Sequence, residues 1–348
     1  MKLEDIVKYL AEYDGPEMNI MEVCGSHTAA ISKNGIPDML SGRLHLVSGP
    51  GCPVCVTPSS YVDRLIELSM RPDHCVVTFG DLIRVSGSTK SLSVAKGEGA
   101  RVIMVYSPMD ILKLAEEEPE TVFVFAAVGF ETTTPVYALL MQQLIEREIR
   151  NVKLLTALKT MPEVIEHLCR EGAPVHGFLA PGHVSVITGA SVYRPIAGKY
   201  NIPFGVAGFT GPEILAAIYA IVRLRGRGEV RNLYPSVVTE EGNTGAQQLV
   251  ERFFEPADAA WRGMGEVPGS GRILREEYSA FDAGSRDLTE DRKINQACRC
   301  DQVLMGKKKP TDCPLFGKLC TPMTPQGACM VSTEGSCFTW LSSDRKRS

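Results

Sequence analysis

Between about residues 16 and 225, short apolar runs alternate with amphipathic stretches, and this alternation restricts the fold more than any other feature. Residues 44–47, 75–79, 102–106, 121–128, 153–157, 175–179 and 204–207 have the length and composition of strands. Residues 59–70, 109–117 and 136–147 have helical periodicity, and Gly211-Pro212-Glu213 opens a helix reaching about residue 224, with Pro in its first turn. Apolar strands that alternate with helices predict parallel sheets covered on both faces. The fold class is therefore α/β. At 348 residues the chain exceeds one ordinary core, and two Rossmann-like domains are expected, divided near residue 135 into 16–135 and 136–255, with no sequence repeat between them. After about Glu255 the texture changes: Gly, Pro and Cys become frequent and strand-like runs vanish. Residues 256–348 are expected to form a loop-rich domain held by a metal, with residues 1–15 packed on it.

Hydrophobic residues make up 44% of the chain and charged residues 22%, as in soluble globular proteins, and the net charge is −4. That balance offers nothing to nucleic acid or to an anionic membrane. The basic tail Asp344-Arg345-Lys346-Arg347 is short and reads as a solvated terminus. The first residues carry Glu4 and Asp5 and lack the apolar core of a signal peptide, and no run of about 18 uncharged apolar residues exists to span a membrane. A cytoplasmic location is expected, where thiols stay reduced and clustered cysteines serve as metal ligands or reactive groups rather than structural disulfides.

Nine of the eleven cysteines form two clusters. In the first, Cys52 and Cys55 lie in SGPGCPVCV (residues 48–56), after one strand and before a helix. Ligand and catalytic groups gather at the carboxyl ends of parallel strands, and a helix N-terminus raises the thiolate fraction. The pair reads as a redox dithiol, with half of a structural zinc site as the alternative. Cys24 lies three residues before His27 in MEVCGSHT (residues 21–28), so the two share a metal or the His activates the thiol. Three further candidates lie at strand ends. Glu131 in GFETTTP (residues 129–135) can hold a ligand or a proton, beside Thr residues suited to capping a helix. His183 follows residues 176–179, with His176 as the weaker candidate, and a buried, hydrogen-bonded His is the alternative. Asp81 follows Phe79-Gly80 and is a site acid or a turn residue.

The second cluster comprises Cys298, Cys300, Cys313, Cys320, Cys329 and Cys337. Spacings of six and seven residues within 313–320 and 329–337 differ from the tight pairs of zinc sites, and the region contains no His. Iron–sulfur ligation tolerates irregular spacing and takes four thiolates. A [4Fe–4S] cluster is expected, with Glu334 placed to reach it or a neighbouring domain.

Taken in order, MEVCGSHT, SGPGCPVCVTP, FGDLIRV, GFETTTP, GFLAPGHVS and CMVSTEGSC resemble the HypD family, whose members mature [NiFe] hydrogenases. Residues 261–265 and 295–306 match in character, so the resemblance spans nearly the whole chain. It implies a scaffold that works with the small protein HypC to hold the iron on which the Fe(CN)₂CO unit is built, with HypE delivering cyanide made together with HypF. It also implies one C-terminal [4Fe–4S] cluster beside two α/β domains. Carried onto this chain, Cys24 becomes an iron ligand shared with a HypC cysteine, with His27 supporting or binding the same iron. Cys52 and Cys55 become the dithiol passing electrons between cluster and iron. Asp81, Glu131, His183 and Glu334 fall within family motifs without assigned roles. The expected cluster ligands are Cys300, Cys313, Cys320 and Cys337, with Cys329 and Cys298 as alternates. Two competing readings are an iron–sulfur-dependent thiol–disulfide reductase and a zinc-binding adaptor. Neither needs the Cys24–His27 pair.

Overall fold

The computed structural model describes residues 2–288 and 295–347. In chain order its strands are β1 (Met18–Glu22), β2 (Leu44–Ser48), β3 (His74–Thr78), β4 (Val102–Met104), β5 (Val122–Gly129), β6 (Val152–Lys159), β7 (Gly177–Pro181), β8 (Phe204–Ala207), β9 (Val230–Asn232), β10 (Phe254–Trp261) and β11 (Gly265–Leu274). One sheet has the order β2-β1-β7-β8-β9 and is parallel throughout. The other has the order β10-β11-β6-β5-β3-β4, parallel from β6 to β4 and antiparallel at β10 and β11. The expected α/β class with parallel sheets is borne out.

The sheets do not follow the expected division at residue 135. β5 and β6 stand on either side of that point and pair from Phe123↔Val152 to Gly129↔Leu158. β1 pairs with both β2 and β7, so the first sheet draws on both halves of the chain. The chain starts one sheet, builds the second between β2 and β7, returns to finish the first, then adds β10 and β11 to the second. Periodicity marks strands but does not state which strands pair.

Two further expectations are corrected. Strands do occur after residue 255: β10 and β11 form a hairpin whose second strand pairs with β6 through Gly271↔Lys159 and Arg272↔Leu158. Pro256, the run of alanines in β10 and the glycines of β11 carry little β-propensity. The pairing comes from a tight turn with Gly263 and Gly265 at φ 74° and 78°, and from β10 lying at the sheet edge, where Pro is tolerated. The N-terminal helix Leu3–Ala11 packs on helix Gly211–Arg223 of the first sheet, not on the C-terminal region. Its Ile6 and Leu10 join Ile214 and Ile218 in one core, and Tyr9 meets Tyr219 edge-on at 5.0 Å.

Apolar clusters cover both faces of the second sheet. A separate core includes Met21 and Phe178 of the first sheet, Phe130 and Trp261 of the second, and Cys52, Cys55 and five C-terminal cysteines. The chemistry-bearing thiols therefore sit where the two sheets and the C-terminal region meet. Among the described residues, no helix is long and apolar enough to cross a membrane.

Candidate functional site

β1 ends at Glu22, and Cys24 takes the N-cap position of helix Gly25–Lys33 with extended backbone (φ −152°, ψ 123°). β2 ends at Ser48, and Cys52 caps the short helix Pro53–Val56, its sulfur accepting the Cys55 N–H at 3.2 Å. Two glycines let these loops touch. The Gly25 N–H donates to the Gly51 carbonyl at 3.2 Å, and a Cβ on Gly51 would lie 2.3 Å from the Cys24 nitrogen. Gly51→Ala is therefore expected to cost about 1–3 kcal/mol in urea unfolding, through overpacking of backbone on backbone.

Cys24 is half-buried and its thiol is pushed up to about 11, by burial first, with Glu22 and Glu334 adding negative charge nearby. The N–H groups of His27 and Ser26 act in the opposite sense. Glu22 is buried beneath it, accepting the Cys24 N–H at 3.1 Å and the Thr28 hydroxyl at 2.6 Å, and burial pushes its carboxyl up to about 8. His27 is fully buried, and its Nε2 lies 2.9 Å from the Gly208 carbonyl oxygen, which follows β8. A carbonyl only accepts, so Nε2 carries the proton and Nδ1 presents the lone pair. That Nδ1 is buried with no partner. Burial holds the ring neutral, its pKa down at about 4. Phe209 lies between two imidazoles, 4.7 Å from His27 and 3.9 Å from His183. His183 is thus an exposed ring joined to the Cys24 loop through Phe209.

Cys52 and Cys55 form a disulfide with Cα atoms 5.2 Å apart, and only 3% and 0% of these residues is exposed. Residues 328–337 join this pair to the other loops. The Cys55 sulfur lies 3.8 Å from the Ala328 carbonyl, next to Cys329. Arg84 donates to the Val331 carbonyl at 3.2 Å, and the Ser332 hydroxyl donates to Asp81 Oδ2 at 3.0 Å. Glu334 lies against the Cys24 loop so closely that a Cβ on Gly25 would fall 2.4 Å from its own Cβ. Crowding by these loops and the Asp81 charge push the Glu334 carboxyl up. Asp81, Glu334, Cys55 and Cys24 are thereby brought together.

The six C-terminal thiols share one neighbourhood: five are buried in the core that holds Cys52 and Cys55, and Cys298 packs against it. Cys329 contacts two of its neighbours: its sulfur lies 2.8 Å from that of Cys300, and it also bonds Cys337. The Cys329 hydrogen bond pushes the Cys300 thiol down, and the same bond with that to Cys337 pushes Cys329 up. Cys298 is pushed up to about 12 by burial, with Cys300, Cys313 and Cys320 as electrostatic neighbours. Cys320 in turn neighbours Cys337 and Cys313, and its sulfur accepts the Gln326 N–H at 3.3 Å. Beside the thiols lies a cavity of about 220 Å³ whose lining includes Arg262, Cys298, Cys300 and Gly327. Among the described residues, no three His, Cys, Asp or Glu side chains converge on a single metal-ion position.

Glu131 lies just after β5. It is buried and accepts the Met161 N–H at 2.7 Å at the start of helix Met161–Arg170, while its other oxygen has no partner. Burial pushes it up to about 7, with Glu163 contributing. No Thr side chain caps the helix after it; the Thr134 hydroxyl donates back to the Phe130 carbonyl at 3.0 Å. Sequence reasoning passed over Glu22, Ser332, Phe209 and Arg262. Arg262 ties the β10–β11 turn to the Cys52–Cys55 helix, its backbone N–H donating to Val56 at 2.8 Å and its Nε to Thr57 at 2.7 Å. Of the four, only Glu22 had a signal, an acidic residue in an apolar strand that ends at a cysteine.

The family model described as "HypD: Hydrogenase formation hypA family" matches residues 2–344. The chain is 42% identical to the hydrogenase maturation factor HypD of Rhizobium leguminosarum bv. viciae, over 96% of this chain and 91% of that protein. It is 41% identical to that of Azotobacter vinelandii, over 95% and 90%, and 40% identical to that of Escherichia coli, over 93% and 88%. The motif resemblance is borne out along nearly the full length, and the chain belongs to the HypD family of hydrogenase maturation factors.

Proposed function

We propose that this protein is the scaffold on which an iron ion, as cargo, acquires cyanide and carbonyl ligands for a [NiFe] hydrogenase. A HypC-like partner completes the iron site and a HypE-like protein delivers cyanide. The observation that carries this reading is the segment 328–337, which touches the thiol cluster, the Cys52–Cys55 disulfide and the Cys24 loop in succession. Cys24 offers a soft thiolate suited to an iron that also carries cyanide and carbonyl. It holds its proton in the free protein, and a bound cation displaces that proton. The buried lone pair of His27 Nδ1 sits one helical turn away, the second donor this chain offers.

The C-terminal donor set suits an iron–sulfur cluster: all sulfur, buried and without His. When bound, such a cluster supplies single electrons. Two thiols only 2.8 Å apart are too close to serve different irons of one cluster, so at most one of Cys300 and Cys329 is a ligand. Cys300, Cys313, Cys320 and Cys337 use only one of these two and are all buried, whereas Cys298 is half-buried. Cys300→Ala is then expected to lose most acid-labile sulfide while Cys298→Ala keeps it. The reverse result would make Cys298 the fourth ligand.

Reduction of Cys52–Cys55 takes two electrons and two protons and yields two thiols beside the Cys24 loop. The pair is too buried for a substrate protein's disulfide to reach, which disfavours the freestanding reductase. Nine free thiols suit the reducing cytoplasm. The direct test is complementation of a hydrogenase-maturation mutant. Wild-type chain is expected to restore hydrogenase activity, and Cys24→Ala to fail although its C-terminal iron and sulfide are intact. Full activity with Cys24→Ala would sink the scaffold reading.

A further inference from the structure

Between Gly306 and Ala328 the chain has four lysines, Lys307, Lys308, Lys309 and Lys318, against the single carboxylate of Asp312, although its net charge is −4. All four lysines are exposed. Lys90, Lys113 and Lys199 pair with carboxylates elsewhere, but among the described residues these four form no ion pair. Asp312 is engaged in its own turn, where Oδ2 accepts the Lys309 N–H at 2.9 Å. The backbone of the run is fixed. Gly306, at φ 68°, turns it off the helix Cys300–Leu304, and the Lys307 and Lys308 N–H groups both donate to the Gln302 carbonyl, at 2.9 and 3.2 Å.

Beside the lysines the surface is apolar. Leu319 is 67% exposed and Met323 90% exposed, on either side of Cys320. A hydrogen-bonded loop holds them outward: the Thr324 hydroxyl donates to the Leu319 carbonyl at 3.0 Å, and the Thr324 N–H to the Thr321 carbonyl at 3.0 Å. The same loop covers a sulfur, since the Gln326 N–H donates to Cys320 Sγ at 3.3 Å. Cys313 and Cys320 are 9% and 6% exposed, and the Cys320 N–H donates to the Leu315 carbonyl at 2.8 Å, which closes the segment between them. Chain length keeps the Lys309 Cα within about 14 Å of that of Cys313, and the Lys318 Cα within about 7 Å of that of Cys320. Apolar side chains rimmed by unpaired like charges are the make-up of a protein contact surface. Here that surface lies one residue's thickness above buried thiols.

We propose that residues 307–323 are the docking surface for an acidic one-electron carrier protein that serves the C-terminal thiol site. The purpose of docking rests on reading that site as an iron–sulfur cluster. Opposite charge steers the carrier to the lysines, and Leu319 and Met323 are covered on contact. The carrier loses one electron for each one passed to the site. Two such transfers with two protons match the conversion of Cys52–Cys55 to two thiols. Two apolar side chains on turns, with no amphipathic helix behind them, suit a protein contact better than insertion into a bilayer.

The test is calorimetric titration of the full chain, loaded with iron and sulfide, with an acidic [2Fe–2S] ferredoxin as the probe. Saturable binding is expected at about 50 mM salt, weakening as salt screens the lysines. Changing Lys307, Lys308, Lys309 and Lys318 together to Gln should weaken it at least about tenfold and remove most of the salt dependence. Met323→Ser with Leu319→Ser should weaken binding but keep the salt dependence, because the charges remain. Changing Lys2, Lys8, Lys96 and Lys113 to Gln alters net charge equally and should leave binding at the wild-type level. All variants should keep wild-type sulfide. No saturable binding by the wild type, equal losses in both lysine sets, or sedimentation with phosphatidylglycerol vesicles in place of ferredoxin binding would overturn the proposal. Docking that follows the expected pattern in a chain without acid-labile sulfide would uphold the surface and count against the cluster reading alone.

Discussion

Replacing Cys52 or Cys55 by Ala is expected to abolish hydrogenase maturation while leaving C-terminal iron and acid-labile sulfide at wild-type levels. The two sites share a core but no ligand. The disulfide closes within one turn after β2, and its link to the other thiols is the contact of Cys55 with the Ala328 carbonyl at 3.8 Å. Removing one sulfur deletes the two-electron store without removing a C-terminal donor. Both residues are almost wholly buried, so no external dithiol should bypass the loss. Maturation assays paired with sulfide analysis on the same preparations decide the matter. Joint loss of both would show that the disulfide is structural.

Glu22→Gln should change the pH dependence of stability. Burial raises the Glu22 carboxyl from 4.5 to about 8. In this interval the folded protein keeps a proton that the unfolded chain releases, so the stability this group provides is full below pH 4.5 and lost as the pH rises through about 8. A rise of that size corresponds to at most about 5 kcal/mol, and local relaxation leaves on the order of 2–4 kcal/mol. Gln mimics the protonated form: its oxygen accepts the Cys24 N–H, its amide donates to Thr28, and the Thr28 hydroxyl is free to turn to the Cys24 carbonyl at 3.2 Å. The variant should be close to wild type at pH 5 and more stable at pH 8 by about 2–4 kcal/mol. Urea unfolding across that range measures the difference. His27 acts in the opposite direction: its pKa is held down at about 4, so its contribution is full above 6.5 and lost as the pH falls through 4, equally in both proteins. Parallel curves for wild type and Glu22→Gln would contradict the burial of an ionisable Glu22.

The strands from 44 to 207 were legible because each is a continuous apolar run with turn residues at its ends. The hairpin was not, because its strands are built of Ala, Gly and Pro and owe their pairing to a glycine turn and to β6. The interleaving of the sheets was equally hidden, since β1 reaches β7 across more than a hundred residues without any local mark. In the site, the thiols and His27 stood out by residue type and spacing. Their connections did not. Ser332 is an ordinary serine until it is seen between Asp81 and Glu334, and Arg262 an ordinary turn arginine until it is seen on Val56 and Thr57.

The central claim is that one chain carries two separate iron-handling thiol groups, and anaerobic metal analysis tests it most directly. Protein loaded with ferrous iron and sulfide, then desalted, should hold about four irons and four sulfides per chain, with an EPR signal after dithionite reduction. Iron beyond four should be present in the wild type and absent from Cys24→Ala, whose sulfide and EPR signal are unchanged. Stoichiometric zinc with no sulfide in a colourless protein, or excess iron that survives Cys24→Ala, would contradict the account.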